Sequence, residues 1–559
     1  QKPRRRWPKV AAAIGVVAIG ALVWTKVRPP KPPVIAQTRP VSTVPEAAAA
    51  YTTGLSLWHD GWTTRAERKL EDAARADPTL ASAHLHLALL TFEEDPPDAR
   101  EHYAKAFEHR MNLLGPEYEL LKASEAYVKP RPDLDEWETS MARAVHKYQD
   151  HAVLHYYLGN ARELQLDFEH AKAAYERALA IDPQLVPARA GLALSLGKLG
   201  QTQAALDQYG TCLSQSPVAT VCLAQRAQLL ADSGECRRAR EDAAAWTGID
   251  QDAAEAQQAL ALSLVAVGAQ RPSVEEVLKR RRELLPQDER AMGAVADRLS
   301  LALLDGRFDA AMHAAQELED HLPTSASRAR HADFALRRAL ILFELGRVKE
   351  ASAVAEDFLA RMDAWQAPPL SSDPSIDFFE FLFRAGKLDR ASFVERRSRW
   401  LDAETEHDRA ADKVTARQAS MTWTKAYAAF VESPAEAKEA LDALPKYLPL
   451  TPASQAPLWY NFSVGKTMLH GGRADEAVTR LHRVANACVA LRHPMLHTRA
   501  HLLLGQAYEA RGDVASAKRA YQVVIDRWGA ATPPSTSARA ARDRLEAIAK
   551  ADKGDKGKR

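Results

Sequence analysis

The polar and hydrophobic positions of this chain alternate with the period of amphipathic α-helices that come in pairs. Residues 158–183, LGNARELQLDFEHAKAAYERALAIDP, contain two such helices with a break near Leu166. Small residues stand where the two helices must approach, and a proline ends the unit because it cannot continue a helix. The structural positions that we expect in this hairpin are Gly159, Ala171, Tyr175, Ala178 and Pro183.

The same hairpin pattern recurs along the chain as a glycine followed five residues later by an alanine. The glycines are Gly61, Gly200, Gly234, Gly306, Gly346, Gly386, Gly472 and Gly512. Glycine permits the left-handed backbone of a tight turn between helices, and alanine lets two helices pack closely. Since one hairpin cannot bury both of its faces, such hairpins stack into a solenoid. We therefore predict an all-α array over residues 45–549, with roughly 11–12 hairpins.

These positions resemble the signature of the tetratricopeptide repeat (TPR). Matching positions in two further units are Gly200, Ala205, Tyr209 and Pro217, and Gly505, Gly512, Ala517 and Tyr521. The resemblance implies a right-handed superhelix whose concave groove, lined by the first helix of each pair, binds an extended peptide or a partner helix. Its groove positions are Tyr156, Asn160 and Glu163 in the best-matching unit, and Gln506 and Glu509 in the last unit. The alternative at each position is an ordinary polar surface residue.

An uncharged apolar run lies near the N-terminus. Residues 10–25 would span about 24 Å as a helix, slightly less than a hydrocarbon core of roughly 30 Å. Lys9 and Lys26 flank the run, and Trp7 and Trp24 stand where interfacial aromatic residues belong. We predict a basic segment at 1–9, a transmembrane helix at 10–26 and a Pro-rich linker at 27–44. A cleaved signal peptide and a buried helix are the alternatives.

Charge is distributed unevenly along the chain. The net charge is +2, but the first 40 residues hold nine Lys and Arg and no Asp or Glu, which leaves −7 for the remainder. A mildly acidic body argues against nucleic-acid binding, which needs a basic face. Cations are denser before the apolar run than after it, so we expect a cytoplasmic N-terminus and extracytoplasmic, periplasmic repeats. Residues 550–559 are interpreted as a disordered basic tail.

The order of basic flank, span, Pro-rich spacer and helical repeats resembles the C-terminal region of bacterial, myxobacterial-type membrane-bound Ser/Thr protein kinases. The stretch YTTGLSLWHDGWTTRAERKLEDAARADPTLASAHLHLALL, residues 51–90, carries this resemblance. It implies a sensory region with an effector domain upstream of Gln1, and signalling through curvature changes or a homodimer. The alternatives are a free-standing membrane-tethered scaffold for envelope assembly and the TPR part of a winged-helix transcription regulator.

The motifs of this chain do not predict catalytic or cofactor chemistry. It lacks the Gly-rich loop, the His-Arg-Asp and the Asp-Phe-Gly sequences of a kinase. Ser463–Thr467 only imitates the end of a P-loop, and His497 and His501 stand one helical turn apart without a third metal ligand. None of the four cysteines forms a C-x-x-C pair. An extracytoplasmic location would permit a Cys212–Cys222 disulfide, but the sequence leaves open whether the two are bonded. We expect a non-enzymatic binding protein without cofactor or metal.

Overall fold

The structure is a computed structural model that describes residues 42–92, 95–130, 132–322, 326–365, 373–410 and 416–556. The predicted basic segment, the predicted transmembrane helix and the linker up to residue 41 lie outside these ranges. Within these ranges, no helix is long and apolar enough to cross a membrane. The same ranges contain helices and no strand, which confirms the all-α prediction.

The described residues form twenty-seven α-helices, arranged as thirteen successive pairs and one terminal helix. The first seven pairs are α1 (Pro45–His59) and α2 (Thr63–Ala76), α3 (Ala81–Thr91) and α4 (Pro96–Glu108), α5 (Gly115–Ser124) and α6 (Leu134–Lys147), α7 (Ala152–Leu164) and α8 (Phe168–Ile181), α9 (Val186–Lys198) and α10 (Thr202–Gln215), α11 (Thr220–Asp232) and α12 (Cys236–Ile249), and α13 (Ala254–Ala266) and α14 (Arg271–Leu284).

The remaining six pairs and the last helix continue the same order. They are α15 (Glu289–Leu304) and α16 (Phe308–Asp320), α17 (Arg328–Glu344) and α18 (Val348–Arg361), α19 (Ile376–Arg384) and α20 (Arg390–Ala410), α21 (Ala416–Ala426) and α22 (Pro434–Ala443), α23 (Leu458–His470) and α24 (Ala474–Asn486), α25 (Pro494–Ala510) and α26 (Val514–Trp528), and α27 (Thr536–Lys556).

Ten of the thirteen hairpins turn through a residue with a positive φ angle. All eight glycines singled out in the sequence adopt this left-handed conformation, with φ between 69° and 82°. Gly268, at φ 76°, is a ninth, and the sequence pattern missed it because Ser273 stands where the alanine usually follows. Leu166, at φ 62°, takes the same role in the hairpin of α7 and α8.

The small residues of the repeat make room for tyrosine rings between the helices. A Cβ atom placed on Gly159 would lie 2.4 Å from the ring of Tyr175, and Gly505 has the same relation to Tyr521. Both tyrosines are fully buried. The other expected packing positions are buried as well: Ala171, Ala178, Ala205, Tyr209 and Ala517. Pro183 and Pro217 lie in the loops that follow α8 and α10.

Hairpin turns also contact loops that lie about four to six hairpins further along the chain. At the first hairpin, Ser216 Oγ donates to the carbonyl oxygen of Asp60 at 2.7 Å, and the Val221 amide donates to that of Gly61 at 3.2 Å. A simple solenoid has contacts only between neighbouring repeats. Here the superhelix is wound tightly enough for one turn to touch the next.

The later hairpins repeat this contact between superhelical turns. The turn at Gly234 lies against the loop after α24, where the Cys488 amide donates to the carbonyl oxygen of Ala231 at 2.9 Å. Further along, the indole nitrogen of Trp528 donates to the carbonyl oxygen of Leu303 at 2.8 Å. These contacts join helices α11 and α15 to the C-terminal third of the array.

All four cysteines form disulfides. Cys212 on α10 is bonded to Cys222 on α11, a pairing that the sequence analysis left open. Cys236 is bonded to Cys488 across a sequence separation of 252 residues, which the sequence analysis did not anticipate. The second bond joins the first residue of α12 to the loop after α24, so it links two superhelical turns covalently.

The array departs from regular repeats in the regions where the sequence spacing drifts. A 3-10 turn, Arg110–Asn112, lies between α4 and α5, and two more, Ala428–Phe430 and Leu444–Tyr447, interrupt the region from α21 to α23. At the C-terminus, α27 continues to Lys556, so the described part of 550–559 is helical instead of the expected disordered tail. The preceding Ala, Arg, Glu and Leu residues favour such an extension because they are strong helix formers.

Candidate ligand-binding groove

Two cavities open on the face formed by the first helices of consecutive pairs, which is the inner face of a superhelix of this kind. The first-turn cavity, about 270 Å³ in volume, lies mainly between α1, α3, α7, α9 and α11. The second-turn cavity, about 390 Å³, lies between α17, α19, α21, α23 and α25. The larger volume falls in the range of about 300–1,000 Å³ that is usual for ligand pockets.

The predicted groove residues of α7 line the first-turn cavity. Tyr156, Asn160 and Glu163 are all half-buried at its wall. The hydroxyl of Tyr175, on α8, is shared between Asn160 Oδ1 at 2.7 Å and Glu163 Oε2 at 2.8 Å. A buried tyrosine from the second helix of the pair therefore holds the amide and the carboxylate in place.

Aromatic rings form the rest of the first-turn wall. Trp58 meets Tyr156 edge-on with 5.5 Å between ring centroids, and Tyr157 lies parallel to Trp58 at 6.4 Å. Tyr127 stacks on Trp137 with centroids 4.1 Å apart. Burial raises the pKa of Tyr157 well above its ordinary value, so this ring carries a neutral hydroxyl.

The predicted groove residues of α25 lie near the end of the array, where the chain itself engages one of them. Glu509 accepts a hydrogen bond from Tyr521 and forms a two-point ion pair with Arg544 of α27, at 2.9 and 2.6 Å. Although burial opposes the shift, hydrogen bonds from Arg544 and Tyr521 lower the pKa of Glu509. Gln506 is half-buried on the same helix. The terminal helix thus closes the groove beside Glu509.

The second-turn cavity combines apolar and charged side chains. Its apolar lining residues are Leu336, Leu340, Phe343, Phe381, Phe430, Trp459, Phe462, Met495 and Leu496. Trp459 keeps 37% of its surface exposed, so a large aromatic ring faces solvent at the cavity. Its charged residues are Asp377, Glu380, Lys425, Glu432, Lys466 and Arg499. The formal charges balance, so this surface suits an amphipathic ligand better than a highly charged one.

Glu432 is well compensated by the cations around it. Lys466, although almost fully buried, donates to Glu432 Oε1 at 2.7 Å and to the carbonyl oxygen of Ala429 at 3.0 Å. Arg499 lies 3.7 Å from the same carboxylate. Burial alone would raise the pKa of Glu432, but Lys466 and Arg499 lower it to about 2.

Asp377 and Glu380, on α19, are compensated less completely. Burial raises the pKa of Asp377 to about 6, against the opposing charge of Lys425. Burial also raises the pKa of Glu380, whose Oε1 atom is buried and has no hydrogen-bond partner among the described residues. The Nε atom of Arg384 lies 3.5 Å away, and that guanidinium is bonded to Glu436. These two carboxyl groups are therefore available acceptors at the cavity wall.

The second-turn cavity was missed in the sequence, although the repeat spacing contains a signal for it. In α7 the groove residue Tyr156 stands three positions before the packing glycine Gly159, and the groove residue Asn160 stands one position after it. The same offsets from Gly465 give Phe462 and Lys466, and both line the second-turn cavity. The helix spacing locates these positions, but α19 and α21 lack a packing glycine, so the spacing does not give the groove positions of these two helices.

The remaining candidate motifs are structural. Ser463–Thr467 is part of α23, where a Cβ atom placed on Gly465 would lie 2.8 Å from Leu481. His497 Nδ1 lies 2.8 Å from a guanidinium nitrogen of Arg527, and its ring is 5.0 Å from that of His501. Burial lowers the pKa of His501 to about 3, so this ring is neutral. Within the described ranges, no three His, Cys, Asp or Glu residues are arranged to hold a metal ion.

Comparisons with known proteins agree with this architecture. Tetratricopeptide repeat family models match residues 152–185 and 499–529, and no curated protein matches the chain. Among solved structures, the TPR protein YrrB, described as having an unusual peptide-binding site, is 18% identical over 40% of this chain and 96% of its own, with a TM-score of 0.24. The human IFIT1 dimer with m7Gppp-AAAA is 12% identical, covering 87% and 90%, with a TM-score of 0.33.

A third similar structure is that of yeast Tom70. It is 15% identical over 64% of this chain and 66% of that protein, with a TM-score of 0.29. The chain is thus an α-solenoid of paired helices that carries tetratricopeptide repeats. That assignment rests on the two family-model matches and on the glycine turns and glycine–tyrosine packing of its hairpins.

Proposed function

We propose that this chain is a protein-interaction region that binds a segment of another polypeptide in its inner groove. The observation that carries the proposal is the second-turn cavity, where five first helices bring apolar side chains and incompletely paired carboxyl groups to one surface. A TPR groove recognises extended peptides or helices through such surfaces. No catalytic role is required of any residue that lines it.

The chemistry of the cavity indicates what the bound segment carries. Leu336, Leu340 and Trp459 offer apolar contact surface, whereas Glu380 Oε1 is buried without a hydrogen bond and has only the 3.5 Å ion-pair contact with Arg384. A hydrogen-bond donor of the partner would satisfy that oxygen and remove the cost of leaving it unpaired. We therefore propose an amphipathic segment with apolar side chains and one Lys or Arg that reaches the Glu380 carboxyl group.

The proposed location is the extracytoplasmic side of a membrane, with residues 10–26 as the tether. The apolar run and its flanking cations support the tether. The two disulfides support an oxidising compartment, since such bonds are rare in the reducing cytosol. A partner bound in the groove would then be a periplasmic or extracellular polypeptide.

The most specific part of the proposal is that the repeats are the sensory half of a bacterial Ser/Thr protein kinase. The order of basic flank, apolar run, Pro-rich spacer and repeats supports this reading. Partner binding would change the curvature of the array or bring two chains together. The two alternative functions differ in what they have in common with this proposal. A membrane-tethered scaffold for envelope assembly would use the same tether and groove, whereas a winged-helix transcription regulator would have only the repeats in common.

Selection of a phage-displayed random-peptide library on the intact chain tests groove binding. The selected peptides should be rich in apolar residues with a Lys or Arg, and Trp459→Ala should weaken their binding at least tenfold. Glu380→Gln should weaken only those peptides that contain the cation. Lys438→Ala, which changes an exposed residue on α22 outside the cavity, is the matched control. Equal binding to all three variants and the unaltered chain would place the site elsewhere.

A further inference from the structure

The end of α4 and the loop that follows it, between the second and third hairpins, expose three large apolar side chains; this segment, Phe107 to Leu114, is called the apolar loop. Met111 is 82% exposed, Leu114 51% and Phe107 44%. Only five other large hydrophobic residues among the described residues are comparably exposed, and they are scattered along the chain. Single exposed apolar residues are normal on protein surfaces, whereas three within eight positions are unusual among the described residues.

The loop is held in a defined shape, so this exposure is built into the fold. Tyr103 and Leu113 pack against the buried core of the first hairpins, and the hydroxyl of Tyr103 donates to the carbonyl oxygen of Leu121 at 3.0 Å. The 3-10 turn Arg110–Asn112 then carries Met111 outward. Anchored residues on both sides thus present a fixed apolar tip.

A cation accompanies the apolar tip. The guanidinium of Arg110 lies 4.4 Å above the Phe107 ring and donates to the carbonyl oxygen of Phe107 at 2.8 Å. Within the segment from Phe107 to Leu114 the fixed charges are those of Arg110 and Glu108, and Lys105 just before it is ion-paired with Glu101 at 2.6 Å. Apolar and aromatic side chains next to Lys or Arg are the composition that suits the headgroup boundary of an anionic bilayer.

The loop lies on the edge of the solenoid where the N-terminal segment enters it. The first described residue, Ser42, hydrogen-bonds through its hydroxyl to Asp77 in the loop between α2 and α3. Ser82, on the first turn of α3 and five residues after Asp77, donates to Glu117 at 2.9 Å, and Glu117 stands three residues after Leu114. The entry point of the tether and the exposed tip are therefore neighbours.

The linker is short enough to keep the entry point of the tether and the exposed apolar tip near the membrane together. Fifteen residues separate the end of the predicted span at Lys26 from Ser42. Fully extended, they would reach about 50 Å, and any shorter path brings the same edge of the repeats nearer to the bilayer. Anchoring to the same bilayer raises the effective concentration of the loop at the lipid surface, so a weak contact suffices.

We propose that the segment from Phe107 to Leu114 is a lipid-contact loop that inserts its apolar tip into the interface of the bilayer holding the tether. This inference rests on the proposed membrane tether. It gives the array a fixed orientation, with the edge that bears α1, α3 and the apolar loop against the membrane. The far end of the groove is then directed away from the lipid.

The test uses the full chain reconstituted into vesicles of phosphatidylcholine and phosphatidylglycerol, with labelled lipid and a photoreactive benzophenone side chain at Met111. The same probe at Leu448, which is 55% exposed in the loop before α23, is the matched control. We expect at least fivefold more lipid labelling from position 111. The pair Phe107→Ser and Leu114→Ser should reduce labelling at 111 to the control level.

The outcomes separate this inference from the tether on which it rests. Equal labelling at 111 and 448 in a chain that resists alkaline carbonate extraction would overturn the lipid-contact loop and leave the tether standing. A probe at 111 that crosslinks to residues of its own chain or to a second copy would also overturn it. Extraction of the chain by carbonate would refute the tether and, with it, the lipid-contact loop.

Discussion

Removing the inter-turn disulfide should destabilise the array more than removing the disulfide between neighbouring helices. The perturbation is Cys236→Ala with Cys488→Ala, and the matched control is Cys212→Ala with Cys222→Ala. In the chain-entropy model, a bond across 252 residues contributes about 5.5 kcal/mol to the free energy of unfolding. A bond across 10 residues contributes about 2.7 kcal/mol.

The structure adds a second reason for the difference. The control bond joins α10 to α11, which are neighbours in the chain, whereas the inter-turn bond joins segments that are far apart in the chain and meet only through the contacts between superhelical turns. Repeat arrays lose cooperativity when their parts can unfold separately. The chain without the inter-turn bond should therefore unfold in more than one step.

Guanidinium unfolding followed by circular dichroism, with hydrogen exchange of α12 and α24, measures both effects. We expect the Cys236 and Cys488 variant to have the lower first midpoint, and α24 to exchange before α12. An equal loss of stability in the two variants, with a single shared transition, would refute the inter-turn contact.

Three further predictions concern individual side chains. Gly512→Ala should lower the free energy of unfolding by about 1–2 kcal/mol because alanine resists a positive φ angle. Gly306→Ala should lower it more, because the new Cβ atom would lie 3.1 Å from the next superhelical turn, whereas the space around Gly512 is open. Urea unfolding of the two variants measures the difference. Asp377→Asn should stabilise the protein by up to about 3 kcal/mol, and by more at pH 8 than at pH 5. The pKa of Asp377 is about 6 in the folded protein and 3.8 as its ordinary value, so the aspartate costs stability as the pH rises from the lower value through the higher one. Thermal melts at both pH values check this, and an equal gain at both would contradict it. Gly505→Ala should destabilise the protein by about 1–3 kcal/mol because the new methyl group displaces the buried Tyr521 ring. Unchanged near-ultraviolet circular dichroism would contradict that packing.

Much of the fold is predictable because each hairpin repeats local signals. The turn glycines, the alanine five residues later and the packing tyrosine identify the hairpins wherever they occur together. The hairpin at Gly268 and the hairpin of α21 and α22 escape this pattern because one or more of the signals is replaced. The contacts between superhelical turns escape it for a different reason: they join residues such as Cys236 and Cys488 that have no local relation in the sequence.

The groove is predictable only where a repeat signature gives its positions. Tyr156, Asn160 and Glu163 follow from the spacing around Gly159, and the structure places them at one cavity wall. The chemistry of the second-turn cavity depends instead on which helices the superhelix brings together. The pairing of Glu509 with Arg544 has the same origin, because a terminal helix outside the repeat pattern supplies the guanidinium.

Protease protection of the intact tethered chain in spheroplasts tests the central claim most directly. An epitope placed after Arg559 reports whether the repeats are accessible from outside the cell membrane. The account of an extracytoplasmic interaction region predicts loss of the epitope when protease is added to intact spheroplasts. Survival of the epitope until the membrane is lysed would place the repeats in the cytoplasm and contradict the account.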